Sequence, residues 1–157
     1  MKVYPELSFW ILIITAVMLF WMALTDLKHF KIRNEFVVTL AGLYFVHSLV
    51  SGLWAQIPWH LGLAALVLAG TFYVYSLRQM GGGDLKLLTV CFLWTGAQSA
   101  LPFSLLLLVF IGVHYAAVRF GWAAAQKSEK GAWIPLAPSA AGALIATFML
   151  GSFAPAA

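Results

Sequence analysis

The chain has 157 residues, 63% of them hydrophobic and only 9% charged, a composition far from that of soluble domains and expected of an all-α, polytopic integral membrane protein. Nine basic and five acidic side chains give a net charge of +4 without a basic tract or an aromatic–basic run, which excludes nucleic acid as a partner. The one cysteine, Cys91, excludes an internal disulfide framework and a zinc ribbon, and leaves redox chemistry a poor reading.

An apolar helix needs about 20 residues to cross a hydrocarbon core, because lipid offers no partner for backbone amides and a helix satisfies them locally. Six segments meet or approach that length. The first, Leu7 to Leu24, follows Lys2 as a signal peptide would, but it lacks a small-x-small cleavage site and reads as a retained span. Phe36 to Leu53, Trp59 to Leu77, Asp84 to Gly96, Pro102 to Phe120 and Ile134 to Phe153 follow. With no internal repeat or low-complexity tract, residues 1–157 read as a single membrane-embedded domain. The bases fall in alternate connections: Lys28, Lys31 and Arg33, then Arg78 and Lys86, then Arg119, Lys127 and Lys130. Those connections are expected in the cytoplasm. The uncharged connections, Ser51 to Pro58 and Ala97 to Leu101, and both termini are then expected outside, in a plasma membrane. Trp54 and Trp59 on one side, and Trp122 and Trp133 on the other, suit interfacial belts.

Of the five acids, Glu6, Glu35 and Glu129 lie in tails or loops, whereas Asp26 and Asp84 abut spans. Span one runs inward and span four outward, so both aspartates are expected on the cytoplasmic face. Taken singly, each has a plain structural reading, Asp84 as a helix cap and Asp26 as a marker of helix exit at the headgroups. Taken together they point further, because a membrane-edge carboxylate is costly unless paired, hydrated or used. From Asp84 to Gly96 the helix covers only about 20 Å of a roughly 30 Å core. Gly81, Gly82 and Gly83 permit positive backbone torsions and close approach, as a loop carrying Asp84 below the headgroups would need. Two carboxyl groups held close together share one proton, so one can act as base and the other as acid. The base draws a proton from water, the water attacks a peptide carbonyl, and the acid hydrogen-bonds the developing oxyanion. Such a peptidase requires neither cofactor nor metal.

The stretches "TDLKHFKIRN", Thr25 to Asn34, and "GGGDLKLL", Gly81 to Leu88, resemble the type IV prepilin peptidases. Members of that family carry an aspartate at the cytoplasmic end of an early helix, an I-P-N-like element, and G-x-G-D-x-K-L-L opening a later helix. Arg33 stands where proline is common. "IPLAPSAAGAL", Ile134 to Leu144, is similar to the family's last helix, with its small-residue packing face. The resemblance implies Asp26 and Asp84 as the catalytic pair, Gly81 and Gly83 as loop-shaping residues, and Asn34 and Lys86 as motif residues, Lys86 most simply as a snorkelling cation. It implies prepilins and pseudopilins as substrates and pilus-assembly proteins as further partners. Longer relatives carry paired C-x-x-C motifs and also methylate the new N-terminus. This chain has no such motifs and resembles the short branch serving Tad/Flp pili.

Other polar residues carry less. His29, three positions after Asp26, would face it on a continued helix, but an interfacial histidine is commoner. His47, His60 and His114 show no metal-ligand spacing and read as packing or interface residues. Cys91 reads as a small buried side chain. Ser8, Ser48, Ser51, Ser76 and Ser104 have no histidine or lysine partner at a recognisable spacing. The rival readings are another G-x-G-D intramembrane protease, a small transporter or channel using both acids for protons or cations, and an assembly subunit without activity.

Overall fold

The computed structural model describes residues 4–29, 31–121, 126–128, 131–133 and 135–153. Five helices make up almost all of it: α1 Pro5–His29, α2 Asn34–Val50, α3 Ile57–Ser76, α4 Gly82–Arg119 and α5 Ala137–Phe153. A short 3₁₀ turn, Trp54–Gln56, leads into α3. The expected all-α architecture needs one addition, an antiparallel hairpin of two three-residue strands, β1 Gln126–Ser128 and β2 Gly131–Trp133, with Lys127 opposite Ala132. Strands that short leave no periodicity to read. Trp122, Glu129 and Lys130 lie outside the described residues, as do the side chains of Lys127 and Trp133.

Three helical segments, Pro5–His29, Trp54–Ser76 and Gly82–Arg119, are long and apolar enough to cross a membrane, whereas α2 and α5 are shorter apolar helices of 17 residues each. The 38-residue α4 is not straight. Gly96 sits at φ 56°, ψ −174°, outside helical space. The rings of Phe92 and Phe103 meet edge to face with centroids 5.1 Å apart. On a continuous helix, eleven residues would separate their backbones by about 16 Å, so the chain folds back at Gly96. The expected fourth and fifth spans are thus the two arms of one kinked element.

The core forms where these arms meet α1, α2 and α5. Leu19, Met22, Leu40, Leu87, Cys91 and Phe103 are fully buried or nearly so. From α5 come Ala137, Ala140, Ala141 and Ala143, all buried. Small side chains let that helix approach closely, and a Cβ at Gly142 would stand 2.8 Å from the Phe110 ring. Outside, Phe20, Trp21, Leu66, Phe72 and Leu108 are exposed. So much outward apolar surface suits lipid and not water.

Candidate active site

Asp26 lies on the inward stripe of α1. The buried positions Ile11, Thr15, Leu19, Met22, Ala23 and Asp26 recur at intervals of three and four, so the carboxyl continues the core face and is only 3% exposed. It is therefore no exit marker at the headgroups. Its Oδ2 accepts the backbone N–H of Ala137 at 3.2 Å. Ala137 is the first residue of α5, where amides lack intrahelical acceptors and the helix dipole favours negative charge. Pro138 follows it and tolerates the first turn because it has no N–H to satisfy.

Asp84 occupies the first turn of α4, three residues after the N-cap Gly81. Its carboxylate accepts the Gly81 N–H, the acidic half of a capping box. The capping reading is thus correct as far as it goes, yet the same carboxyl lies within electrostatic reach of Asp26. Two acids 58 positions apart in the sequence share one corner of the bundle.

The glycines show the close approach expected of them but not the positive torsion. Gly81 has φ −74°, and among the described residues the only glycines at positive φ are Gly52, Gly96 and Gly121. Close approach is instead the reason for Gly81 and Gly83. A Cβ at Gly81 would stand 2.9 Å from Asp84 Oδ2, and one at Gly83 would stand 3.0 Å from Ile32 Cβ. The first glycine leaves room for the carboxylate, and the second lets the α1–α2 connection lie against the head of α4.

That connection is tied down again by Lys86, whose Nζ donates to Asn34 Oδ1 at 2.9 Å. Lys86 is a strap between the two motif segments rather than a snorkelling cation alone. Arg33, the N-cap of α2, has φ −75° and ψ 134°, values a proline would also adopt, so the departure from the I-P-N pattern leaves the backbone as proline would have it. Both partners of the strap are exposed, so its net worth is about 1 kcal/mol or less. Lys86→Met should therefore lower cleavage by no more than about fivefold in a purified assay.

The histidines divide unexpectedly. His29 is exposed at the end of α1. His114, on the second arm of α4, is the histidine within electrostatic reach of Asp26. The expected packing or interface role does not include this neighbour, because no local spacing links positions 26 and 114. Asp84 and His114 would be about 45 Å apart on a straight helix, and only the reversal at Gly96 brings both to Asp26. The serines also need a correction. Ser8 Oγ lies 3.0 Å from His47 Nε2 and 2.8 Å from Ser51 Oγ, contacts between separate helices that sequence spacing does not reveal. This cluster belongs to the start of α1 and the end of α2, roughly 25 Å from Asp26 along α1. Beside it, a cavity of about 330 Å³ is lined by Tyr44, His47, His60, Trp94 and others. Cys91 is fully buried, as expected. Among the described residues no group of three His, Cys, Asp or Glu side chains could hold a metal ion.

No curated protein and no solved structure matches the chain. The model of the type IV leader peptidase family matches residues 13–117, about two thirds of the sequence. That match takes in both aspartates, the glycine motif between α3 and α4, and the Lys86–Asn34 strap. A bundle that draws together two carboxyls 58 positions apart within the matched region therefore belongs, with the rest of the chain, to the type IV leader peptidase family, and the protein is a peptidase.

Proposed function

We propose that the protein is an aspartic endopeptidase that removes the short polar leader of Flp/Tad-type prepilins and pseudopilins, with Asp26 and Asp84 as its catalytic pair. The observation that carries this reading is the convergence of the two carboxyls at one corner of a leader-peptidase bundle. One carboxyl takes a proton from water while the other donates to the carbonyl oxygen under attack, and the roles reverse as the amine leaves. Lys28, Lys31, Arg33, Arg78, Lys86 and Arg119 all flank the helix ends nearest the aspartates, which supports a cytoplasmic site in a plasma membrane. Counting the two arms of α4 separately supports six passes; an even number puts both termini on one side, and a cytoplasmic site at the inner end of α1 makes that side the outer one. Pilus-assembly proteins are the natural further partners of such an enzyme.

A water-using pair at the membrane edge reaches a peptide bond only where a substrate's apolar helix emerges from lipid. Hydrolysis also needs extended backbone, and glycine resists helix and brings no side chain toward the crowded Gly81–Asp84 corner. Likeness to the prepilin peptidases puts the cut at the bond after a glycine, and this physical argument agrees with it. In liposomes, the purified protein should cut a prepilin once between leader and apolar segment, and in the presence of S-adenosylmethionine the new amine should stay unmethylated. A prepilin with valine in place of that glycine should insert and remain uncut. Processing of the valine substrate at the same site and rate would remove the prepilin reading.

A further inference from the structure

The proposed reaction needs a stretch of substrate held extended beside the aspartates, and a helix interior offers nothing to hold it, because its backbone N–H and C=O groups already bond each other. Among the described residues only the hairpin β1–β2 is built otherwise. It is a sheet of two strands, so each strand is paired on one side and presents an open edge on the other. The register identifies the groups on those edges. Two positions connect Ser128 to Gly131, and so short a connection closes on a hydrogen-bonded pair. Pairing then alternates along the ladder: Gln126 and Trp133 bond each other, whereas Lys127 and Ala132 direct their backbone N–H and C=O outward. On β2 the outward residue is therefore Ala132.

That residue is tethered to the site. Ala137, whose N–H holds the Asp26 carboxyl, comes five positions later, so a fully extended chain puts Ala132 no more than about 17 Å from that amide. We propose that the open edge of β2 binds the prepilin leader by strand addition: Ala132 donates its N–H to one leader residue and accepts an N–H in return, which holds the leader extended as it enters the aspartate corner. The leader is the occupant because the hairpin joins the second arm of α4 to the head of α5, at the end of the bundle where the substrate's polar segment meets its apolar one. Extended backbone is what the cut requires there, and an edge strand selects it by pairing. An extended chain advances about 3.4 Å per residue, so the paired leader residue lies within about five positions of the scissile bond. The proposal rests on the aspartic-peptidase reading above and adds to it the place where the leader is held.

The test is cleavage of a prepilin in liposomes by the full-length protein, with a single backbone N-methyl group moved residue by residue through the leader positions nearest the cut. The methyl group removes one donor and blocks pairing at that residue alone. KM should rise about 3–10-fold where the methylated nitrogen faces β2 and stay at the unmodified value at the residues on either side, with kcat unchanged. Ala132→Pro removes the protein's donor. Proline is tolerated at an edge position whose N–H faces outward, so this variant should melt with wild type and show a similar rise in KM, while Ala132→Ser, which keeps the N–H, should match wild type. Together, the proline variant and the sensitive N-methyl substrate should cost less than the product of their separate effects, because both break one pair. A flat methyl scan, equal effects at adjacent residues, or fully multiplicative effects of the two changes would overturn the proposal, and the scan decides on the unaltered protein alone if the proline variant is not recovered folded. Wild-type protein that leaves the unmodified prepilin uncut defeats the peptidase reading itself, whereas normal cleavage with a flat scan defeats only the strand addition.

Discussion

Asp26→Asn and Asp84→Asn should each abolish leader removal, lowering kcat/KM by at least about 10³-fold, while the protein remains folded and membrane-inserted. The asymmetry between activity and stability follows from what each carboxyl does in the fold. Asp26 accepts one N–H from Ala137 and Asp84 accepts one from Gly81, and an amide oxygen accepts either as well. Replacing one acid also ends the like-charge repulsion between the two, so neither variant should melt below wild type by more than a few degrees. What an amide cannot do is exchange the proton that water activation needs. Glu35→Gln is the control, since Glu35 is exposed and paired with Arg33. It should cleave at the wild-type rate. Measuring cleavage, membrane partition and thermal melting on the same preparations distinguishes lost chemistry from lost structure, and normal processing by either Asn variant would end the mechanism.

The second large effect is expected far from the aspartates. Gly96→Ala should destabilise the protein by roughly 2–6 kcal/mol, the sum of about 1–3 for backbone strain and about 1–3 for overpacking. At φ 56° and ψ −174° the backbone occupies a region nearly reserved for glycine, and a Cβ there would stand 2.2 Å from His60 Nε2. His60 has little freedom to retreat, because its Nδ1 lies 3.0 Å from the Leu93 carbonyl oxygen and its ring stacks on Tyr44 at 5.7 Å. Against a typical total stability of about 5–15 kcal/mol, such a loss leaves little margin. Thermal melts in detergent should show it beside Gly112→Ala, a helical glycine with open space around it, which should be neutral or slightly stabilising. A Gly96→Ala protein melting with wild type would mean that the reversal of α4 does not depend on this residue.

Much of the fold can be read directly from hydropathy. The six apolar segments fall on α1 to α5 once α4 is divided at Gly96, with ends shifted by a few residues. Asp26 and Asp84 could be singled out because charge is rare in such a chain and therefore conspicuous. The depth of Asp26 is also present in the pattern, since it falls on the same stripe as Leu19 and Met22, although its place at the end of a span suggests the headgroups. What local sequence could not supply were partners across the bundle. The Ala137 amide, the His114 ring and the Ser8–His47 contact all depend on which helices lie side by side. Of the two properties the glycines offer, close approach and not positive torsion is the one the fold uses, for a related reason. Torsional freedom is a property of one residue, whereas the space at Gly81 and Gly83 is defined by neighbours, Asp84 and Ile32, that only the folded chain puts there.

The bond between Asp26 and Ala137 joins residues 111 positions apart, and that separation also has a meaning in time. A ribosome adding about 5–20 residues per second reaches Ala137 roughly 5–20 s after Asp26 has left the peptidyl-transferase centre. Throughout that interval α1 carries a carboxyl whose protein donor does not yet exist, and water or headgroups at the membrane edge must solvate it. Only when the last helix docks is Asp26 sealed into the bundle beside its fellow acid. A nascent chain thus leaves this corner open until Ala137 has been made, so Asp26 gains its buried setting late, by assembly of the bundle.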